Sequence, residues 1–280
     1  MKVAVIGAGT MGQDVALIFA AVGIHVILKD THISILDVAL SKIKSNLRFY
    51  RMAIPEYQSL DKTFIEKYIH PTTTYDGFNE VDWIIENIPE EWELKRNLYS
   101  DLAANCDAKA RYAVNTSCIS ITKIAALMPS PENVIGLHFM NPVPMKPTVE
   151  AIQGFHTSTE TIEAAKSLLK LVNKKMILVN DSPGFVANRL SHLFMNEAAF
   201  LVQDKVAEPA AIDAIFKEGY GHAMGPLETA DLIGLDTVAN SLKILYDSFQ
   251  DPKFRCCPLL QKMVDAGLLG RKSGRGFYSY

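Results

Sequence analysis

Apolar residues occur in short runs along the first 180 positions, and most runs are followed by a stretch in which apolar residues recur at helical spacing. A short apolar run bounded by turn residues is typical of a buried strand, and strands that alternate with helices form a mostly parallel sheet. We predict strands at residues 3–6, 25–29, 81–88, 111–115, 133–139, 148–152 and 175–180. The pattern therefore predicts an α/β fold with a doubly wound, mostly parallel sheet.

The pattern changes near Asp181. Beyond that residue the strand-like runs end, and helical spacing predicts successive helices at residues 185–203, 209–218, 236–247 and 259–266. We therefore predict two domains, a sheet domain at residues 1–181 and an all-helical domain at residues 182–280. Within the first domain, shorter helices are expected at residues 61–68, 91–104 and 160–172. Helical spacing from Leu36 to Tyr50, stopped by Pro55, predicts a long arm after the second strand.

The first strand runs directly into the segment Gly7-Ala-Gly9-Thr-Met-Gly12, which opens a helix. In this context the glycines permit a tight turn, close approach of a pyrophosphate, and close packing of helix on strand. The helix N-terminus offers N–H groups to phosphates, so Thr10 and Met11 join the glycines as candidate cofactor residues. Asp30 ends the next strand and is expected to bind ribose hydroxyls and repel a 2′-phosphate. We predict a Rossmann-type domain that binds NAD; the alternative is an ordinary βαβ turn without a ligand.

Composition narrows the class of protein. The chain has 280 residues, 49% hydrophobic and 21% charged, and a net charge of −3 without like-charge runs, which argues against nucleic acid or an anionic membrane as partner. The first strand begins at Lys2, and no apolar run approaches the roughly 18 residues that span a bilayer. We therefore expect a soluble, cytoplasmic protein without a leader peptide. Its four cysteines show no metal-ligand spacing and are expected to be reduced, and no metal site is predicted.

Ligands of an open α/β sheet bind beyond the carboxyl ends of its strands, so polar residues that follow the apolar runs are candidate site residues. Glu90, Asn115 and Ser117 occupy such positions, and Asn188 lies in the first turns of the first helix of the second domain. Two simpler interpretations remain open: Ser117 as a turn or helix-capping residue, and Asn188 as an exposed helix residue. Cys118 is an alternative nucleophile beside Ser117.

His138 and Glu150 lie 12 residues apart around an Asn-Pro turn. A histidine is an effective general base near neutral pH when its second ring nitrogen donates to a carboxylate. We therefore predict His138 as the base and Glu150 as the acid that orients it. The alternative is a histidine that is satisfied within the core.

These motifs resemble the NAD-dependent L-3-hydroxyacyl-CoA dehydrogenases, and more narrowly the short-chain 3-hydroxybutyryl-CoA dehydrogenases, over nearly the whole chain. The likeness rests on residues 7–12 with Asp30, 115–117, 137–143 with Glu150, 181–189, 224–228 with 234–236, and 270–278. The resemblance implies that His138 is the catalytic base, that Glu150 is its partner, and that Ser117 and Asn188 bind the reacting end of the substrate.

The resemblance also has implications for the cofactor and the assembly. Glu90 and Lys95 match family positions near the nicotinamide half of the cofactor, and Asn115 and Asn141 are further candidate cofactor residues. The helical domain is expected to form a homodimer.

Two departures from the family pattern concern the carrier of the acyl group. The family usually has a lysine-rich tip on the helical arm, where this chain offers Arg48 and Arg51 as candidate substrate residues. Residues 145–148 also replace an apolar stretch and look more like relatives that act on acyl-carrier-protein substrates, such as glyceryl units.

We therefore expect NAD-dependent hydride transfer at C3 of a short (S)-3-hydroxyacyl thioester of CoA, with the same chemistry on an acyl carrier protein as the alternative. Two further alternatives are a dehydrogenase of free hydroxy acids and a catalytically silent NAD-binding protein. The first would need a cationic clamp for the carboxylate, and the second would bind the cofactor without turnover.

Overall fold

The structure is a computed structural model that describes residues 1–106 and 109–280. The chain divides into two compact units, Met1–Ser182 and Pro183–Tyr280. Within the described residues, no helix combines the length and apolar character needed to cross a bilayer.

An eight-stranded sheet forms the centre of the first unit. Its strands are β1 (Lys2–Ile6), β2 (His25–Lys29), β3 (Ile69–Thr72), β4 (Trp83–Glu86), β5 (Arg111–Val114), β6 (Val134–Phe139), β7 (Thr148–Gln153) and β8 (Lys175–Asn180). The spatial order is β3-β2-β1-β4-β5-β6-β7-β8, and only the β6/β7 pair is antiparallel. The chain order reverses at β1, between β2 and β4, which is where open α/β sheets bind dinucleotides.

Six helices accompany the described strands of this unit: α1 (Thr10–Ala21), α2 (Ile33–Ala53), α3 (Lys62–Tyr68), α4 (Trp92–Asn105), α5 (Ile121–Ala125) and α6 (Thr159–Leu171). The arm α2 is amphipathic and buries Leu36, Ala39, Ile43, Leu47 and Tyr50. Spacing of three and four residues places these side chains on one face, where each large apolar group contributes about 1.5 to 3 kcal/mol when fully buried.

The second unit is helical in the described structure, with α7 (Ala187–Gln203), α8 (Pro209–Ala214), α9 (Pro226–Ile233), α10 (Leu235–Phe249) and α11 (Pro258–Asp265). A π-helical turn, Ile215–Gly219, follows α8 directly. A buried cluster of the second unit consists of Met195, Ala199, Ala230, Leu235, Val238, Leu242, Cys257 and Leu260.

The predicted fold class is confirmed: a mostly parallel, doubly wound sheet precedes a helical C-terminal part. The apolar pattern did not predict β3, because its four residues include Pro71 and lie at the sheet edge, where proline is tolerated. It also did not predict α5 and α9, which have five and eight residues, too short for a clear helical period. The strand expected at 81–88 is confined to Trp83–Glu86.

Candidate active site

The glycine segment between β1 and α1 has the geometry of a dinucleotide turn. Gly7 has φ +90°, and a Cβ there would lie 2.7 Å from the Asn87 carbonyl oxygen. A Cβ at Gly12 would lie 1.8 Å from the Gly7 carbonyl oxygen, so the backbone itself requires both glycines. A Cβ at Gly9 would meet no described atom within 4 Å. Packing therefore does not explain Gly9, and its open surface at the helix N-terminus fits an approaching pyrophosphate.

Asp30 stands at the end of β2 and contacts the glycine turn. Its Oδ2 accepts from the Ala8 N–H at 2.7 Å, and its Oδ1 accepts from the Thr31 N–H at 2.7 Å. The neighbouring Lys29 is buried, with its ammonium 4.5 Å from the centre of the Tyr75 ring. Lys29 is thus engaged with Tyr75, and the carboxylate is the charge that the turn presents, which fits NAD better than NADP.

The first two residues of α1 flank the open surface left by Gly9. Thr10 is exposed and Met11 is half-buried. Their positions fit the predicted contacts with the cofactor phosphates, and those contacts stay predictions, as does the bond from Asp30 to ribose.

His138 on β6 and Glu150 on β7 are directly opposite each other in the antiparallel register. His138 Nδ1 lies 2.9 Å from Glu150 Oε2, and each side chain is 8% exposed. The carboxylate can only accept, so the proton is assigned to Nδ1 and Nε2 is left as the basic nitrogen. Ser117 Oγ lies 3.4 Å from that Nε2. The arrangement is that of a base with an orienting acid, and a hydroxyl stands beside its reactive nitrogen.

Glu90 organises the backbone around Ser117. Its Oε1 accepts from the Thr116 hydroxyl at 2.6 Å and from the N–H groups of Ser117, Cys118 and Ile119 at 3.1, 2.7 and 3.0 Å. The segment Thr116–Ile119 therefore wraps around one carboxylate oxygen. Cys118 is 2% exposed, which leaves the nucleophile interpretation without an accessible thiol.

A buried ion pair lies behind Glu90. Lys95 Nζ donates to both carboxylate oxygens of Glu86, at 2.7 and 2.8 Å, and both side chains are 0% exposed. Burial raises the pKa of Glu86, and the neighbouring ammonium opposes that rise. The same Nζ lies 4.0 Å from Glu90 Oε2. Lys95 therefore contacts two carboxylates in the structure, and its predicted proximity to the nicotinamide stays a prediction.

Asn115 connects the carboxyl ends of three strands. Its Nδ2 donates to Asn87 Oδ1 at 2.8 Å, and its Oδ1 accepts from the Phe139 N–H at 3.2 Å. Asn141 is exposed and lies just after β6. Asn115 thus holds the sheet edge on which His138 lies, and both asparagines remain candidate cofactor residues.

The remaining candidates belong to other elements of the chain. Arg48 and Arg51, near the end of α2, line a cavity of about 330 Å³ with Met52 and Gln58. Asn188 is the second residue of α7 in the second unit, and its carbonyl accepts from His192 Nδ1 at 2.9 Å. The substrate roles of these residues stay predictions.

Sequence reasoning missed one contributor to this region, Glu86. The available signal was the carboxylate inside the apolar run at residues 81–88, because a buried acid requires a partner. Among residues 1–106 and 109–280, no group of three or more His, Cys, Asp or Glu side chains could hold a metal ion.

Comparison with known proteins gives matches along the chain. Residues 2–182 match the family model of the 3-hydroxyacyl-CoA dehydrogenase NAD binding domain, and residues 184–280 match that of the 3-hydroxyacyl-CoA dehydrogenase C-terminal domain. The 3-hydroxybutyryl-CoA dehydrogenase of Clostridioides difficile is 41% identical over 280 residues, covering 100% of this chain and 99% of the relative. That of Bradyrhizobium diazoefficiens is 40% identical, covering 100% and 95%. The solved (S)-3-hydroxybutyryl-CoA dehydrogenase of Ralstonia eutropha is 38% identical, with a TM-score of 0.93 and coverage of 100% and 98%.

Proposed function

This chain belongs to the 3-hydroxyacyl-CoA dehydrogenase family, and we propose that it interconverts a short-chain (S)-3-hydroxyacyl-CoA and its 3-oxoacyl form with NAD. The observation that carries this proposal is the His138–Glu150 pair with Ser117 beside the basic ring nitrogen. The pair and the glycine turn occupy the carboxyl-end side of the same sheet, where ligands of such sheets bind.

The residues of the first unit supply acid–base chemistry. In the oxidation direction, His138 Nε2 accepts the proton of the substrate's 3-hydroxyl, and the Ser117 hydroxyl holds that oxygen by a hydrogen bond. Glu150 keeps the ring oriented and stabilises the imidazolium that forms. In the reduction direction, the imidazolium returns the proton to the carbonyl oxygen. Asn188 is proposed as a second hydrogen-bonding residue for the reacting end of the substrate.

Bound NAD supplies the hydride acceptor, or in its reduced form the donor. The glycine turn would hold its pyrophosphate, and Asp30 would hold the adenosine ribose. The open surface at Gly9 supports this assignment, because nothing in the described protein explains the missing side chain there.

Coenzyme A is the proposed carrier. The relatives at about 40% identity are named for CoA thioesters, and their names do not favour the acyl-carrier-protein alternative. Arg48 and Arg51 are the proposed contacts for the nucleotide end of CoA. An exposed ionic contact is worth about 0.2 to 1 kcal/mol, so the two together contribute up to about 2 kcal/mol, or roughly 30-fold in affinity.

A truncated substrate isolates this contribution. We expect a double variant, Arg48→Ala with Arg51→Ala, to lower kcat/KM for acetoacetyl-CoA by about 2- to 30-fold and to leave kcat/KM for acetoacetyl-pantetheine unchanged. Lys42→Ala, at an exposed cation of the same helix, is the matched control. Equal losses on both substrates would show that the arginines act on the fold and not on the nucleotide.

The second unit is proposed to form the homodimer interface. Val186, Leu190, Phe194 and Phe216 line a cavity of about 420 Å³, and Leu190 is 64% exposed. Exposed apolar surface of this kind marks an interaction site, and a second copy of the chain is the proposed partner. Sedimentation velocity should show a dimer that Leu190→Lys converts to monomer, whereas Val206→Lys, at an exposed loop residue, should not. A monomeric wild-type protein would refute the dimer.

The metabolic role and the cellular location are also proposals. Fatty acid oxidation complex alpha subunits match the whole chain at 34–35% identity, although the chain covers only 39% of their length. This supports a role in fatty acid metabolism, and composition supports a cytoplasmic location.

The function is tested by NADH oxidation with one acyl group on different carriers. We expect turnover with acetoacetyl-CoA and little or none with free acetoacetate. A preference for acetoacetyl carried by an acyl carrier protein would support the alternative carrier. Binding of NADH without turnover of any of these substrates would identify a silent cofactor-binding protein and refute the proposed activity.

A further inference from the structure

The loop that carries Ser117 is held by carboxylates at both ends. Glu90 binds its first part, as described above. At the other end, Asp181 Oδ2 accepts from the Ser120 hydroxyl at 2.7 Å and from the Thr122 N–H at 2.8 Å. Ser120 is the N-cap of α5, so Asp181 fixes the point at which the loop becomes a helix.

Asp181 is itself held by the sheet. Its N–H donates to the Gln153 carbonyl at 3.0 Å, which extends the β7–β8 ladder by one residue beyond β8. The Phe155 N–H donates to the Thr122 hydroxyl at 2.9 Å, a second connection between α5 and the chain that leaves β7. The strand that carries Glu150 is therefore connected to the loop that carries Ser117.

One oxygen of Asp181 lacks a partner. Asp181 Oδ1 is buried, and the described residues offer it no hydrogen bond. Burying an unpaired carboxylate oxygen carries a free-energy penalty. Two donors converge on the other oxygen, Oδ2, and a carboxylate oxygen accepts them more strongly than a neutral serine or asparagine oxygen would. The two hydrogen bonds that Oδ2 accepts, from Ser120 and Thr122, therefore explain a carboxylate at this position.

We propose that Asp181 is a positioning residue for Ser117. By binding Ser120 and Thr122, it fixes the loop Thr116–Ser120 on the sheet and sets the Ser117 hydroxyl 3.4 Å from His138 Nε2. The inference rests on the proposed function, because it assumes that Ser117 contacts the reacting oxygen. If the bond between Asp181 and Ser120 positions Ser117, and does not only cap α5, then the effect of removing it on kcat depends on the Ser117 hydroxyl.

A double-mutant cycle tests this dependence. Asp181→Ala should lower kcat with acetoacetyl-CoA by about 10- to 100-fold, since a misplacement of about 1 Å can cost on the order of 100-fold. In the Ser117→Ala background the same change should lower kcat by less than about 3-fold, because no hydroxyl is left to position. NADH affinity, measured by fluorescence titration, should stay within about 3-fold of wild type in all four proteins.

Controls separate positioning from general stability. Asp61→Ala is the matched variant, because Asp61 also caps a helix, accepting from the Phe64 N–H at 3.0 Å and the Thr63 hydroxyl at 2.6 Å. It should leave kcat unchanged. If Asp181→Ala does not fold, as judged by thermal melting, Ser120→Ala completes the same cycle with a smaller change.

Two outcomes overturn the inference while the wild-type enzyme is active: equal losses from Asp181→Ala in both backgrounds, or unchanged kcat in the variant. A wild-type protein that turns over no acyl thioester would instead remove the proposed function, and the inference with it.

Discussion

Replacing Glu150 by glutamine tests the acid–base pair with the smallest structural change. Glutamine keeps an oxygen that can accept from His138 Nδ1, so the ring can stay oriented, but the negative charge is lost. The atoms lie 2.9 Å apart and both side chains are 8% exposed, so water screens the pair little. Glu150→Gln therefore removes mainly the stabilisation of the imidazolium.

The magnitude follows from the geometry. A hydrogen bond between charged groups in such a site contributes about 1.5 to 3 kcal/mol. If this stabilisation is realised when the proton arrives on His138, its loss lowers kcat by about 10- to 150-fold. His138→Gln removes the base itself and should lower kcat by about 100- to 10,000-fold. The double variant should be no more than about 3-fold slower than His138→Gln alone, because the two residues act as one unit.

Steady-state oxidation of NADH with acetoacetyl-CoA measures all three variants. His156→Gln, at an exposed histidine beyond β7, is the control and should behave as wild type. NADH affinity should be nearly unchanged in each protein. Unchanged kcat in Glu150→Gln, or additive losses in the double variant, would refute the assignment of the two residues to one acid–base unit.

Three further predictions concern the cofactor turn and the core. Asp30→Ala should weaken NAD binding by about 1.5 to 3 kcal/mol in calorimetry and narrow the preference over NADP; unchanged NAD affinity would place the ribose elsewhere. Gly9→Ala should stay folded, with at most the small loss of melting temperature that alanine causes at a helix N-cap, because its Cβ would meet no described atom; it should nevertheless lower NAD affinity at least about tenfold, or about 1.4 kcal/mol, and normal binding would argue against a pyrophosphate there. Desolvation raises the pKa of buried Asp14, and the stability linked to such a carboxyl is present below its unfolded pKa of about 3.9 and lost as pH rises through the folded value. The wild type should therefore lose melting temperature as pH rises from about 4, whereas Asp14→Asn should not lose this contribution. The difference between the two melting temperatures should change with pH in favour of Asp14→Asn, and a difference that stays constant would contradict this.

The sheet was predictable because its central strands are buried and appear in sequence as apolar runs. The edge strand β8 is mostly exposed, but it also contains an apolar run, Met-Ile-Leu-Val. The edge strand β3 was not predictable, because Ile-His-Pro-Thr has no such run and takes its structure from pairing with β2. The helix α9 likewise depends on tertiary contacts: its N-terminal N–H groups at Leu227 and Glu228 donate to Asp213, at 2.9 and 2.8 Å. Neither source of stability is visible in a local pattern.

The spacing of His138 and Glu150 could be recognised in the sequence, and the structure gives its physical reason. The strands β6 and β7 are antiparallel neighbours, and their register pairs His138 directly with Glu150. The hydrogen bonds that hold the loop around Ser117 could not be predicted. Glu90 binds Ser117 across 27 residues of sequence, and Asp181 binds Ser120 across 61. Contacts of that range follow from the fold, and the sequence shows only that buried carboxylates need donors.

Isotope transfer tests the central claim most directly. NADH that carries deuterium at C4 is incubated with acetoacetyl-CoA and the enzyme, and the product is analysed by mass spectrometry and chiral chromatography. We expect deuterium at C3 of (S)-3-hydroxybutyryl-CoA, formed at a rate that falls about 100- to 10,000-fold in His138→Gln. The cofactor is deuterated at C4 on one face of the nicotinamide and, in a second experiment, on the other face. Direct hydride transfer assisted by this histidine would be contradicted if neither cofactor gave deuterium at C3, or if His138→Gln formed product at the wild-type rate.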